Sequence, residues 1–204
     1  MNGKKKKVRK NSNYQQTYRY VSIDRLCRKT LCDLRNRPSM QEVSEEERTA
    51  DEILYETAVE LCCVAGVLSR EEKAVYFDGQ NHVALSEEKI SEFTGIPLYQ
   101  LQKNLFAFRI RTSEDYMRAS VIKLAMCDLV ATLLRKASEE GRKLTEEETK
   151  NSVGYINFCA FVGLISEEQC SLLYFSLKNN QPLELSMIAS VTGINEETLQ
   201  KMMV

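Results

Sequence analysis

Phosphate neutralisation is the chemistry most clearly written in this chain. Lys4, Lys5, Lys6, Lys7, Arg9 and Lys10 place a dense polycation near the N-terminus. Each phosphate such a segment neutralises releases condensed counterions, so it binds DNA or RNA without sequence preference and with steep salt dependence. Arg19, Arg25, Arg28, Lys29, Arg35 and Arg37 carry the charge onward into the first helical pattern, and Tyr14, Tyr18 and Tyr20 are interleaved where they could stack on bases. Residues 1–37 hold twelve Lys/Arg against Asp24 and Asp33, a net charge of +10. The other 167 residues hold 16 basic and 27 acidic residues, a net charge of -11, so the overall value of -1 conceals a strong asymmetry.

Other chemistries are poorly represented. The one histidine, His82, has no nucleophile pattern around it, and no G-x-S-x-G, H-E-x-x-H or glycine-rich phosphate loop is present. Clusters such as Glu45-Glu46-Glu47, Glu71-Glu72, Glu87-Glu88 and Glu146-Glu147-Glu148 stand mostly at helix starts, where the helix dipole favours carboxylates. The seven cysteines form no C-x-x-C pair and mostly fall on apolar helix faces, which suits small buried hydrophobes in a reducing compartment better than metal ligands. The expectations are therefore no catalytic site, no metal and no cofactor.

The positioning elements should be helices. A chain of 204 residues with 43% hydrophobic residues, 8 Gly and 3 Pro can bury a sizeable core with few turns. No run approaches the length of a membrane span, and the basic start lacks the apolar stretch of a signal peptide, so a cytoplasmic location is expected. Residues 1–19 read as a flexible arm. Ser22 should cap a first helix whose stripe is Ile23, Leu26, Cys27, Thr30, Leu31 and Leu34, with Arg25, Arg28, Lys29 and Arg35 off that stripe and Pro38 marking its end. Capping boxes Ser44-x-x-Glu47, Ser69-x-x-Glu72, Thr145-x-x-Glu148 and Ser166-x-x-Gln169 open later helices, and Ser86 and Ser113 should cap others. Ten helices are expected, near 22–35, 45–65, 70–78, 87–94, 97–109, 114–138, 146–162, 167–178, 185–191 and 195–203. The alternation from Phe106 to Arg111 allows a short strand but reads better as the end of a helix.

The helices repeat. At an offset of 98, Tyr76-Phe77 falls on Tyr174-Phe175, Leu85 on Leu183, Ile90 on Ile188, Thr94-Gly95-Ile96 on Thr192-Gly193-Ile194, and Leu101-Gln102-Lys103 on Leu199-Gln200-Lys201. At 97, Cys62 meets Cys159 and Gly66 meets Gly163, and at 95 Cys32-Asp33-Leu34 meets Cys127-Asp128-Leu129. The expected architecture is all-α: internally duplicated five-helix bundles, residues 20–111 and 112–204, each ending in a helix-turn-helix-like unit near 86–109 and 184–203.

Each unit has a small residue four positions before a turn glycine, then an apolar residue, then a leucine: Ser91, Gly95, Ile96, Leu101 in the first and Ala189, Gly193, Ile194, Leu199 in the second. Over about twenty residues each resembles the helix-turn-helix superfamily, a resemblance that implies a second helix laid in the DNA major groove. In the second unit the groove-facing positions would be Asn195, Glu196, Glu197, Gln200 and Lys201, and two glutamates suit a helix N-terminus better than DNA. In the first they would be Pro97, Leu98, Tyr99, Gln102 and Lys103, leading to Arg109 and Arg111, which makes it the better reader. The expected function is a non-enzymatic nucleic-acid-binding protein, a DNA-binding transcriptional regulator more than an RNA binder. The alternative is a helical adaptor or inhibitor docking on a nucleic-acid enzyme or ribonucleoprotein, which the acidity of residues 38–204 favours.

Overall fold

The computed structural model describes residues 18–41, 49–77 and 84–202. Lys4 to Lys10, Tyr14, the Ser44–Glu47 capping box, Asn81 and His82 lie outside them. Within them the chain forms eleven helices and two short strands. In order these are β1 (Arg19–Val21), α1 (Ile23–Arg35), α2 (Pro38–Gln41), α3 (Ala50–Val64), α4 (Arg70–Tyr76), α5 (Glu87–Thr94), α6 (Leu98–Gln102), β2 (Phe106–Phe108), α7 (Ser113–Glu139), α8 (Glu146–Phe161), α9 (Glu167–Lys178), α10 (Leu185–Thr192) and α11 (Glu196–Met202).

Caps set most of these boundaries. Ser69, Thr145 and Ser166 each accept the N3 amide while the N3 side chain returns to the cap amide. Thr49 with Glu52 and Thr112 with Asp115 make the same box, so the third helix starts at Ala50 and α7 is capped by Thr112 instead of Ser113. Gly95 and Gly193 end α5 and α10 in the left-handed region at φ 64° and 74°, which a Cβ would penalise. The two turns share their bonds: each glycine N–H reaches the carbonyl four residues back at 2.9 Å, and Thr94 and Thr192 each donate to the carbonyls of Ile90 and Ile188 at 2.7 Å.

Two expectations need correction. The helix expected over 97–109 stops at Gln102, because Asn104 takes φ 49° and closes a Schellman motif, with Asn104 N–H on Leu101 O and Leu105 N–H on Gln100 O. The residues after it form a strand: β2 pairs in parallel with β1, with Arg19 opposite Phe106, Tyr20 opposite Ala107 and Val21 opposite Phe108. Parallel pairing joins segments far apart in sequence, so neither strand declares itself locally. The short α2, opened by Pro38, is a further addition.

Helices α3 and α8 form the centre. Ile53 shares a groove with Lys150 and Asn151, Thr57 meets Gly154, and Glu60 Oε2 accepts the Tyr155 hydroxyl at 2.9 Å, so contacts climb both helices in the same direction. A Cβ on Gly154 would lie 2.2 Å from Thr57 Oγ1, which is held back against its own helix by bonds to Ile53 O and Leu54 O. Around this pair α1 packs on α3 and α5, while α7 packs on α8 and α10, and one contiguous apolar core runs through all of them. Cys27, Cys32, Cys62, Cys127 and Cys159 are buried in it. Burial pushes the Cys32 thiol up to about 11 and the Cys127 thiol to about 12, so neither is a thiolate at neutral pH.

Replacing a helix-interior glycine by alanine ordinarily stabilises by about 1 kcal/mol. At Gly154 the overlap with Thr57 reverses the sign: Gly154→Ala should destabilise by about 1–3 kcal/mol in urea unfolding, and Thr57→Ala in the same chain should recover part of the loss. A thiol reagent should titrate only Cys63 and Cys170 in the native protein and all seven cysteines in guanidinium.

Candidate nucleic-acid interface

The strand pair decides which cations come together. Arg19 N–H donates to Leu105 O at 3.1 Å, which sets the end of the arm beside the end of α6 and next to exposed Gln102 and Lys103. Beyond the pairing, Arg109 and Arg111 extend past β2 on the same side. The Arg111 guanidinium lies 3.3 Å from the centre of the Tyr20 ring and that of Arg109 lies 5.7 Å from it. The tyrosine face attracts both cations and holds them together despite their mutual repulsion. Arg25 on α1 lies over Gly95, where an added Cβ would be 3.4 Å from its Nε. Arg19, Tyr20, Arg25, Arg109 and Arg111 are all exposed, as are Tyr18 and Phe108. Tyr99 is exposed too, its hydroxyl accepting from Gln100 Nε2 at 2.9 Å.

The rest of the expected basic stripe along α1 is engaged internally. Arg35 does not lie on a solvated face: it is 7% exposed and donates to Val75 O at 3.0 Å. Arg28 forms a two-pronged ion pair with Glu72 and donates to Val67 O at 2.6 Å. Lys29 pairs with Asp33 at 2.5 Å and also covers the Phe106 ring. Arg37 pairs with Asp51 at 2.7 Å and covers the Phe161 ring. Periodicity placed these residues off the apolar stripe of one helix, and could not see that α4, β2 and α3 would cover them.

Residues missed in the sequence complete the site. A cleft of about 430 Å³ beside the strands is lined by Tyr20, Asp24, Arg109, Arg111, Glu114 and Arg118. Arg118 Nε lies 3.1 Å from Asp24 Oδ1. Burial raises the Asp24 carboxyl above its ordinary value, against the opposing pull of Arg118 and Arg28. Asp115 joins α1 and α7: it caps α7 through Thr112, accepts Ile23 N–H at the start of α1 at 3.3 Å, and accepts Arg111 N–H and Thr112 N–H at 3.4 Å. A carboxylate there answers two helix N-termini at once. Burial pushes its carboxyl up, but the Thr112 hydroxyl and the three amides outweigh it and hold it below the ordinary value. The Thr112-x-x-Asp115 spacing was the available sequence signal. A second groove of about 340 Å³ beside the strands is mostly apolar, lined by Val21, Leu26, Phe108, Ile110 and Val162, with Arg109 at its edge.

No three His, Cys, Asp or Glu side chains converge as a metal site among the described residues, and none of their helices is long and apolar enough to cross a membrane. No known protein family, curated protein or solved structure matches the chain.

Asp115→Ala should lower stability by about 1–2 kcal/mol, because it removes a cap and the bond to α1 together. A carboxyl depressed in the folded state stabilises fully above its unfolded value of about 4 and loses that contribution as pH falls through the lower folded value. The deficit of Asp115→Ala in urea melts should therefore be large at pH 7 and shrink towards pH 3.

Proposed function

We propose that the chain is a non-enzymatic nucleic-acid-binding protein, a DNA-binding regulator that grips the phosphate backbone through its basic arm and the strand end continuous with it. The observation that carries this is the β1–β2 pairing, which sets Tyr20 beside Arg109 and Arg111, with Arg19 and the polycation immediately upstream in the chain. Cations and exposed aromatic rings on one surface suit phosphates and bases together. The contact surface differs from a recognition helix in a groove. The five residues of α6 span about 7.5 Å, short against a major groove about 12 Å wide. Gln102 and Lys103, at the end of α6 beside Arg19, are the residues of that unit best placed to touch DNA.

Within the same proposal the chain is a tandem duplication of one helical unit. The identical bonding of the Gly95 and Gly193 turns supports it, as does the meeting of Thr57 and Gly154, positions 97 apart, at the closest approach of α3 and α8.

The apolar surface supports a second role, as an adaptor. Val64 and Phe161, Val75 and Leu172, and Phe77 and Phe175 are exposed pairs at offsets of 97 or 98, so the two halves present apolar side chains at equivalent places. Apolar surface kept in both halves suits a protein partner.

Fluorescence anisotropy with a DNA duplex across a salt series separates the two. The full chain should show a slope of log K against log salt of about −7, with about −0.9 for each of the arm cations Lys4 to Lys10 and for Arg109 and Arg111. Arg109→Ala and Arg111→Ala should each flatten it by about 1 and weaken binding evenly across sequences, whereas Gln102→Ala should alter preference. If the full chain shows no binding, the nucleic-acid proposal fails and the adaptor role is favoured; if removing residues 1–17 and substituting both arginines leave binding unchanged, the arm and strand end are not the grip.

A further inference from the structure

In the first half the loop before α5 is fastened to the end of α1 by a side-chain amide. Asn36 Oδ1 accepts Leu85 N–H at 2.8 Å, and Asn36 Nδ2 donates to Leu85 O at 3.2 Å. A primary carboxamide suits this place because it carries a donor and an acceptor side by side, complementary to the N–H and C=O of one residue.

At the offsets of the repeat, Asn36 corresponds to Ala131 on α7, and Leu85 to Leu183 in the loop before α10. Asp33 with Asp128 and the buried pair Ile90 with Ile188 hold the register. Ala131 has no amide to offer. Neither the N–H nor the C=O of Leu183 has a hydrogen-bond partner among the described residues. Helix α7 also continues beyond the point where α1 stops, and its last turns add a wall. The result is a groove of about 260 Å³ lined by Asp128, Ala131, Arg135, Pro182, Leu183 and Ile188 among others.

We propose that this groove binds a primary carboxamide, which pairs with the Leu183 peptide as Asn36 pairs with Leu85. The proposal rests on the duplication argued above. Pro182, Leu183 and Ile188 give the ligand an apolar seat. Exposed Asp128 and Glu139 supply two anions and Arg135 one cation at the rim, which can meet the ammonium and the carboxylate of free glutamine or asparagine. When the amide belongs to a side chain of a partner polypeptide, these charges stay solvated.

The test is an amide-resolved NMR titration of the full chain. Acetamide should produce saturable shifts at Leu183 and Ala131 with a Kd on the order of millimolar, the range open to a ligand of few atoms. N,N-dimethylacetamide, which lacks the donor, should produce none. L-glutamine binding about tenfold tighter than N-acetylglutamine methylamide assigns the site to the free amino acid, and equal or reversed affinity assigns it to a polypeptide side chain. Ala131→Asn should abolish the acetamide response and slow hydrogen exchange at Leu183. Ala131→Leu, which fills the groove with carbon, should abolish the response without that protection. Absent shifts with acetamide, or equal shifts with dimethylacetamide, overturn the carboxamide site. Folded Ala131→Asn that leaves Leu183 exchange unchanged overturns instead the equivalence of the two halves.

Discussion

Helices α3 and α8 meet side by side at a glycine, and that approach sets the spacing of the elements around them. Where Thr57 faces Gly154 there is no room for a second Cβ, so the helices pack closer than ordinary side chains allow. Packed around this pair, the N-termini of α1 and α7 lie together, close enough for one carboxylate, Asp115, to serve both. The two strands lead into those helices and pair at the same end.

The electrostatics follow from that geometry. Four of the cations on and just after α1 are spent within the fold, on Glu72, Asp33, Asp51 and the carbonyls of Val67 and Val75. Partly buried groups of this kind need partners, since an unpaired charge loses its hydration without compensation. Arg25 stays exposed on α1, and at the strand end Tyr20 provides a face for the exposed Arg109 and Arg111. Net charge along the sequence thus overstates the basic face on α1 and understates the one at β2.

Local physics made much of the fold legible. A Ser or Thr followed three residues later by Glu or Gln names a helix start because it satisfies orphan amides within one turn, as at Ser69, Thr145 and Ser166. Gly95 and Gly193 name helix ends because a left-handed residue there needs no distant partner. Asn104 carried the same kind of signal for the end of α6, more weakly, since asparagine tolerates that conformation less freely than glycine. Of the candidate site, Arg109, Arg111 and Arg19 were legible as charges, and Arg118, Asp24 and Asp115 were passed over because each acts on a residue far along the chain.

By itself, then, the sequence determined a helical chain, its caps and turn glycines, its repeating offsets and its segregation of charge. These depend on bonds within a few residues or on composition alone. Tertiary structure decided that Phe106–Phe108 is a strand paired with the end of the arm, that Arg28, Lys29, Arg35 and Arg37 turn inward to partners, and that Asn36 fastens the loop before α5 through the Leu85 peptide. Those outcomes depend on which surfaces meet, and surfaces meet through packing between residues about fifteen to a hundred positions apart, a distance over which no local pattern carries information.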